Sequence, residues 1–469
     1  MIKIDFFEYS QSNLVANVNY FFNKSINYVL DYSERDKEIL DNRFFGRILM
    51  LTDQAKYMVF EENYIDPTWK EMISQHYVNT SYRFSSKGLR IHFFKEAQVE
   101  SNNYLGYITL RIINEPCIIL SSVMPNWDVL DFKTYIQKHV PSGSTYCEHD
   151  LHIMKAKKEV HMFGEELVIR TFPFLTQDSV VIWCAQAAIL MSSLYLNKKY
   201  RYKKLSIRDT IHKYNIKQYP NRGLRNYEIE EIFIKNDIPC LVVVSNNAKL
   251  DEIERLVIAY LNSNMPCLIT TKGHIMTVIG YIEKDGNREL IIYDDSSHFT
   301  STYYEGSSCL GNFVANIRLD RLMELLRDEE DETLTVFIHE NEKTYINFSK
   351  YYDHLSLFFT IDDNRCKHFL IESYKLKKYL KKKLEDNLLA NDSKSQVQGF
   401  ISEDNGKLPI FVWCTEVYHD EKVREMIVAD STKHPDAPNV LIGHFWMLEE
   451  DDCSIMPILD GVASSCILY

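Results

Sequence analysis

A cysteine stands where a short polar approach turns into an alanine-rich apolar run: Gln177-Asp178-Ser179-Val180-Val181-Ile182-Trp183-Cys184-Ala185-Gln186-Ala187-Ala188-Ile189-Leu190-Met191. The run from Cys184 onward reads as a helix, which places the thiol at a helix N-terminus. There it meets the positive end of the macrodipole and unpaired backbone N–H groups, both of which favour thiolate. Those N–H groups can also hold a developing oxyanion. A thiol so placed becomes a nucleophile once a base and an orienting group are supplied. Downstream, His274 begins one apolar run and the carboxylates Asp294 and Asp295 end another. Cysteine, histidine and aspartate are the residue types of nucleophile, base and orienter.

Two strands must carry the second and third groups. Lys272-Gly273-His274-Ile275-Met276-Thr277-Val278-Ile279-Gly280-Tyr281 reads as a strand opened by the histidine. Glu289-Leu290-Ile291-Ile292-Tyr293-Asp294-Asp295-Ser296 reads as a second strand. The Asp285-Gly286 turn signal between them predicts a hairpin. Neighbouring strands lie about 5 Å apart, so His274 falls within reach of Asp294 or Asp295. Spacing alone leaves that choice open. Trp183 reads as core or pocket wall.

The segment from about 172 to 297, roughly a quarter of the chain, resembles a papain-like cysteine peptidase domain of the bacteriocin-processing, C39-like branch. The resemblance implies an α+β fold: a central helix opened by the nucleophilic cysteine and packed on an antiparallel sheet that carries the histidine and aspartate. It implies Cys184 as nucleophile, His274 as base, Asp294 as orienter and Gln177 as oxyanion donor. Pro239-Cys240-Leu241-Val242-Val243-Val244 and Pro266-Cys267-Leu268-Ile269 resemble the strands that precede the histidine. Three positions depart from the family pattern. Ala185 replaces the usual glycine, Gln177 lies one residue further from the cysteine, and Asp295 occupies the usual proline position.

A chain of 469 residues is too long for one ordinary core. The expected division is an N-terminal mixed α/β region (1–150), the peptidase core (151–318) and a C-terminal α/β region (319–469). Few glycines and prolines (15 and 12) argue against long linkers, and 30 tyrosines with 25 phenylalanines point to aromatic cores and contact surfaces. The net charge of −13 argues against a nucleic-acid coat. Ten scattered cysteines without a Cys-x-x-Cys pair suit reduced thiols, and no apolar run approaches a membrane span. With no leader pattern at Met1–Asp5, the expectation is a cytoplasmic protein without metal or other cofactor, acting on a protein or peptide.

Cys147, His149 and His152 are zinc-compatible residue types, but no fourth ligand accompanies them, and a polar loop or strand end is the preferred reading. Asn103–Ile113 and Pro116–Leu120 read as strands, with Arg111 as a structural ion-pair partner. Leu319–Leu326 reads as a helix followed by an acidic turn, 328–332. Leu376, Leu380, Leu384 and Leu388 recur four apart in a lysine-rich segment. That pattern predicts a solvated helix docked by its leucines rather than a nucleic-acid or membrane patch. Asn391–Ser395 reads as a loop, and the stretches 408–414 and 426–432 as buried strands.

Three activities fit these residues. The first is a thiol-dependent peptidase cleaving a peptide or isopeptide bond. The second is an acyltransferase or amidase using the same triad, and the third is a papain-fold binding protein without catalysis.

Overall fold

The apolar alternation of 103–113 becomes a central strand of a six-stranded antiparallel sheet. The computed structural model describes residues 4–26, 45–75, 86–114, 117–131, 151–176, 184–211, 223–244, 250–271, 274–284, 287–293, 314–317, 335–339, 347–363, 365–402, 408–419, 422–433, 437 and 440–448. It is a mixed α/β chain with several antiparallel sheets, and it divides into two compact units. The first contains 1–237 and 268–332; the second contains 238–267 and 333–469. Residues 238–267, in the middle of the chain, therefore group with the C-terminal part.

In the first unit the six-stranded sheet runs β1 (Phe7–Glu8), β2 (Tyr57–Tyr64), β3 (Gly88–Phe94), β4 (Tyr104–Asn114), β5 (Cys117–Pro125) and β9 (Phe174–Leu175). Helices α1 (Gln11–Ile26), α2 (Phe45–Thr52) and α3 (Pro67–Gln75) interleave with its first strands. The hairpin of β7 (Ala156–Met162) and β8 (Glu165–Thr171) packs Val160, Met162, Leu167 and Ile169 against Phe94, Tyr104, Tyr107 and Met124. Polar groups are threaded through this contact. Arg90 Nε donates to Glu61 Oε2 at 2.5 Å, and its guanidinium also donates to the His161 carbonyl. His92 Nδ1 bonds the Tyr104 hydroxyl at 2.8 Å. Arg111 is buried with its guanidinium 4.3 Å from the Trp69 ring centre, so an aromatic face of α3 is a partner that spacing did not reveal.

A second group of strands in this unit is β11 (Cys267–Thr271), β12 (His274–Lys284), β13 (Asn287–Tyr293) and β14 (Val314–Ile317), adjacent in that order. Tyr281 of β12 pairs with Leu290 of β13 on one edge and with His152 of β6 (Leu151–Ile153) on the other. Gly280 permits that second approach, because a Cβ there would lie 2.0 Å from the His152 carbonyl oxygen. Helix α4 (Cys184–Tyr200) packs on β12, β7 and β9. Helices α5 (Ile207–Ile211) and α6 (Asn226–Lys235) are the unit's remaining described helices.

In the second unit β10 (Cys240–Val244) pairs antiparallel with β15 (Thr335–His339). A four-stranded antiparallel sheet follows: β16 (Cys366–Glu372), β17 (Phe411–His419), β18 (Lys422–Asp430) and β19 (Leu441–Trp446). Helices α7 (Leu250–Asn262) and α8 (Phe348–Ser356) cover the sheet face that carries His368, Trp413 and Thr415. The opposite face takes Leu376 and Leu380 of α9 (Ser373–Glu385) with Val397 and Phe400 of α10 (Asn391–Ser402). The leucine stripe of α9 is docked as its spacing predicts.

The segment 391–395, read as a loop, is instead the first turn of α10. Asn, Asp and Ser favour both loops and helix starts, and the deciding apolar residues, Val397, Phe400 and Ile401, come later. Ser393 is buried and its hydroxyl accepts the Trp446 N–H at 2.7 Å. The segments 319–326 and 328–332 lie outside the described residues.

Candidate active site

Helix α4 is described from Cys184 onward, and the alanine-rich run is helical as its composition predicts. Every residue from Cys184 to Ser193 is buried. A helix enclosed on all sides belongs to a core, which explains its lack of a polar face. Its first-turn N–H groups have no partners within the helix. Cys184 is a free thiol, 7% exposed, at the end where those donors lie.

His274 is the first residue of β12 and is 6% exposed. The predicted hairpin is present. Lys284 pairs with Asn287 beside the turn, and pairing extends to Thr277 and Tyr293, with a bulge between Val278 and Gly280. The strand opened by His274 thus packs against the helix opened by Cys184. Asp294 follows Tyr293 directly in sequence. Asp294, Asp295, Gln177 and Trp183 all lie outside the described residues.

Aromatic packing ties these elements together. The Phe172 ring stacks on Tyr195 of α4 at 4.7 Å and meets Tyr293 of β13 edge-on at 5.9 Å. The Tyr293 hydroxyl donates to the Phe172 carbonyl at 3.5 Å, and Phe174 packs edge-on to the same tyrosine at 5.2 Å. Burial holds the Tyr293 phenol far above its ordinary range, so it stays protonated and acts as a donor.

Three buried polar groups line these elements with no hydrogen-bond partner among the described residues: the Gln186 amide and Ser192 hydroxyl on α4, and the Thr277 hydroxyl on β12. Gln186 escaped the sequence reading. Its only signal was a lone amide inside an apolar helical run, two residues after the cysteine.

Three other described cysteines hold their protons more tightly than an ordinary thiol. Burial pushes the thiols of Cys267 and Cys414 far up. Cys366 rises to about 11, through burial and then the nearby Asp363 carboxylate. Cys366, His368 and Asp363 form a second cysteine–histidine–aspartate set in the other unit, with His368 Nε2 4.0 Å from Asp363 Oδ1. His368 Nδ1 bonds the Thr415 hydroxyl at 2.7 Å, and Asp363 accepts from Arg255 Nη1 at 3.1 Å and the Tyr352 hydroxyl at 3.0 Å. His152, from the zinc-compatible set, lies in β6 with its ring 5.4 Å from Tyr281, whereas Cys147 and His149 lie outside the described residues.

No protein-family model matches the chain, and no curated protein matches it. Among solved structures, UfSP from C. elegans overlaps 45% of this chain and 37% of its own length, with 14% identity and a TM-score of 0.28. A DNA polymerase III subunit beta DnaN sliding clamp from Bartonella birtlesii overlaps 77% of this chain and 87% of its own, with 8% identity and a TM-score of 0.10. Both likenesses are weak, and neither fixes the fold of this chain.

Proposed function

We propose that the chain is a thiol-dependent hydrolase, a papain-like cysteine peptidase that cleaves a peptide or isopeptide bond. The observation that carries this reading is the packing of α4, opened by Cys184, on β12, opened by His274. Two residues 90 positions apart in sequence thereby begin two touching elements of one unit.

His274 takes the proton from Cys184 Sγ, and the thiolate attacks the amide carbonyl carbon. The oxyanion is held by N–H groups at the start of α4, with the Gln177 amide as a second donor. The C–N bond breaks as His274 returns the proton to the departing nitrogen, which leaves a thioester on Cys184. His274 then deprotonates a water, whose attack releases the carboxylate and restores the thiol. Asp294 holds the imidazole in the tautomer and orientation that these transfers need. A protein or peptide substrate and a reducing, cytoplasmic setting belong to this reading. The free state of Cys184, Cys240, Cys267, Cys366 and Cys414 supports that setting. Among the described residues no helix is long and apolar enough to cross a membrane.

The test is labelling with an electrophilic thiol probe, mapped by mass spectrometry. Labelling at Cys184 that disappears in Cys184→Ala and falls sharply in folded His274→Ala is the expected result. Equal labelling of wild type and His274→Ala, or a label placed on another cysteine, overturns the reading.

A further inference from the structure

Strand β7 carries one residue that its alternation does not explain. Ala156, Val160 and Met162 are buried, while Lys157, Glu159 and His161 are exposed on the opposite face. Lys158 stands in the inward row with the three apolar residues and is half-buried. A lysine so placed ordinarily covers apolar surface with its stem and sends its ammonium to water. Here Nζ donates instead to the hydroxyl of the buried Tyr107 at 2.6 Å.

The neighbouring charges do not pair with it. Lys158 Nζ and the Arg90 guanidinium share one ring, lying 5.1 and 5.3 Å from the centre of Tyr107. Glu61 is bonded to Arg90 and also faces His92. Asp66 Oδ1 accepts the Thr68 and Trp69 N–H groups at the start of α3. Lys158 has no ion-pair partner among the described residues. Its neighbours differ: Lys155 Nζ lies 3.0 Å from Asp128 and Lys157 Nζ lies 3.7 Å from Glu159. Burial, the largest cause, brings the Lys158 amine down to about 8; Asp66 pulls it up and Arg90 pushes it down again.

We infer that Lys158 is an amine nucleophile that takes a small aldehyde as an imine. An amine beside a second cation, without a carboxylate of its own, keeps the lone pair that attack on a carbonyl needs. The nitrogen adds to the carbonyl carbon, and its proton passes to the oxygen to give a carbinolamine. The Tyr107 hydroxyl, which burial keeps protonated, donates to that oxygen. Water leaves as the C–N double bond forms, and the remaining nitrogen proton restores the phenol. One water is released, and no oxidant or reductant enters. The phenol favours an aldehyde over an acyl donor, because loss of water from the carbinolamine is the step that needs an acid. The partial burial of Lys158 restricts the partner to a small one.

The experiment uses the full chain carrying Cys184→Ala, so its outcome does not depend on the peptidase reading. The protein is incubated with propanal and cyanoborohydride, whose hydride fixes the imine as a secondary amine. Peptide mass spectrometry follows each lysine across the neutral and alkaline range. Near neutral pH, Lys158 is expected to react at least about tenfold faster than Lys157, although Lys157 is 60% exposed. The Lys158 rate should level off above about pH 8, while that of Lys157 goes on rising. In Tyr107→Phe, shown to be folded by circular dichroism, the plateau rate of Lys158 falls and the rate of Lys157 does not. Equal rates for the two lysines in the folded parent, a Lys158 preference that survives in urea, or an unchanged plateau in Tyr107→Phe overturns the inference. The first two comparisons need no Tyr107 variant.

Discussion

The Tyr293 hydroxyl donates to the backbone carbonyl of Phe172 at 3.5 Å, while the two rings meet edge-on at 5.9 Å. Phe172 also stacks on Tyr195, so one side chain links the helix opened by Cys184 with the strand that precedes Asp294. Phe172→Ala removes both contacts and leaves a core cavity. A loss of about 3–5 kcal/mol in chemical denaturation is expected. In conditions where the variant stays folded, slower alkylation of Cys184 should accompany that loss.

Two carboxylates follow the hairpin in sequence, and the proposed function assigns the first of them as orienter. Tyr293 is the last described residue of β13, and Asp294 is the next in sequence. Asp294→Asn is expected to slow Cys184 alkylation near neutral pH by about 100-fold or more, as loss of an orienting carboxylate does in a catalytic triad. Asp295→Asn should leave the rate near wild type. The reverse ranking would assign Asp295 as orienter.

Acid should weaken the first unit through His92. Burial, the largest cause, pushes this imidazole down to about 4. Between its unfolded value near 6.5 and about 4, only the unfolded chain takes up the proton, so stability falls as pH falls through that window. The contribution lost is on the order of 3 kcal/mol. Denaturation curves for wild type and His92→Gln at pH values across the window should converge toward the acid end. A constant gap would contradict the buried neutral imidazole.

Gly280→Ala places a methyl 2.0 Å from the His152 carbonyl oxygen. Either β6 separates from β12 or the backbone shifts, at roughly 1–3 kcal/mol. Hydrogen exchange would show the loss as faster exchange at residues 151–153 and 280–282. Unchanged protection there would show that the approach relaxes freely.

Gln186 keeps an amide at 0% exposure with no hydrogen-bond partner among the described residues, a burden of about 1–3 kcal/mol. Gln186→Met preserves shape without the polar atoms, so its melting temperature should rise. A fall would mean that the amide supports the start of α4.

Local patterns were legible in the chain. The alanine-rich run after Cys184 marked helix α4, and the Asp285-Gly286 turn signal marked the β12–β13 hairpin. The leucine spacing of α9 marked its buried stripe. Each follows from backbone sterics and side-chain period over a few residues. Asn391–Ser395 misled because polar residues near a helix start resemble a loop until the apolar residues after them find a core.

By itself, the sequence determined which residue types begin and end these elements, because propensity and periodicity act between near neighbours. Only the tertiary structure decided that β6 lies beside β12, that Phe172 joins Tyr195 to Tyr293, and that Glu61, Arg90 and His92 share a polar network. It also decided that Gln186 lies buried, with no hydrogen-bond partner among the described residues. Those outcomes depend on which distant surfaces exclude water together, and side-chain period along one segment carries no record of its partner.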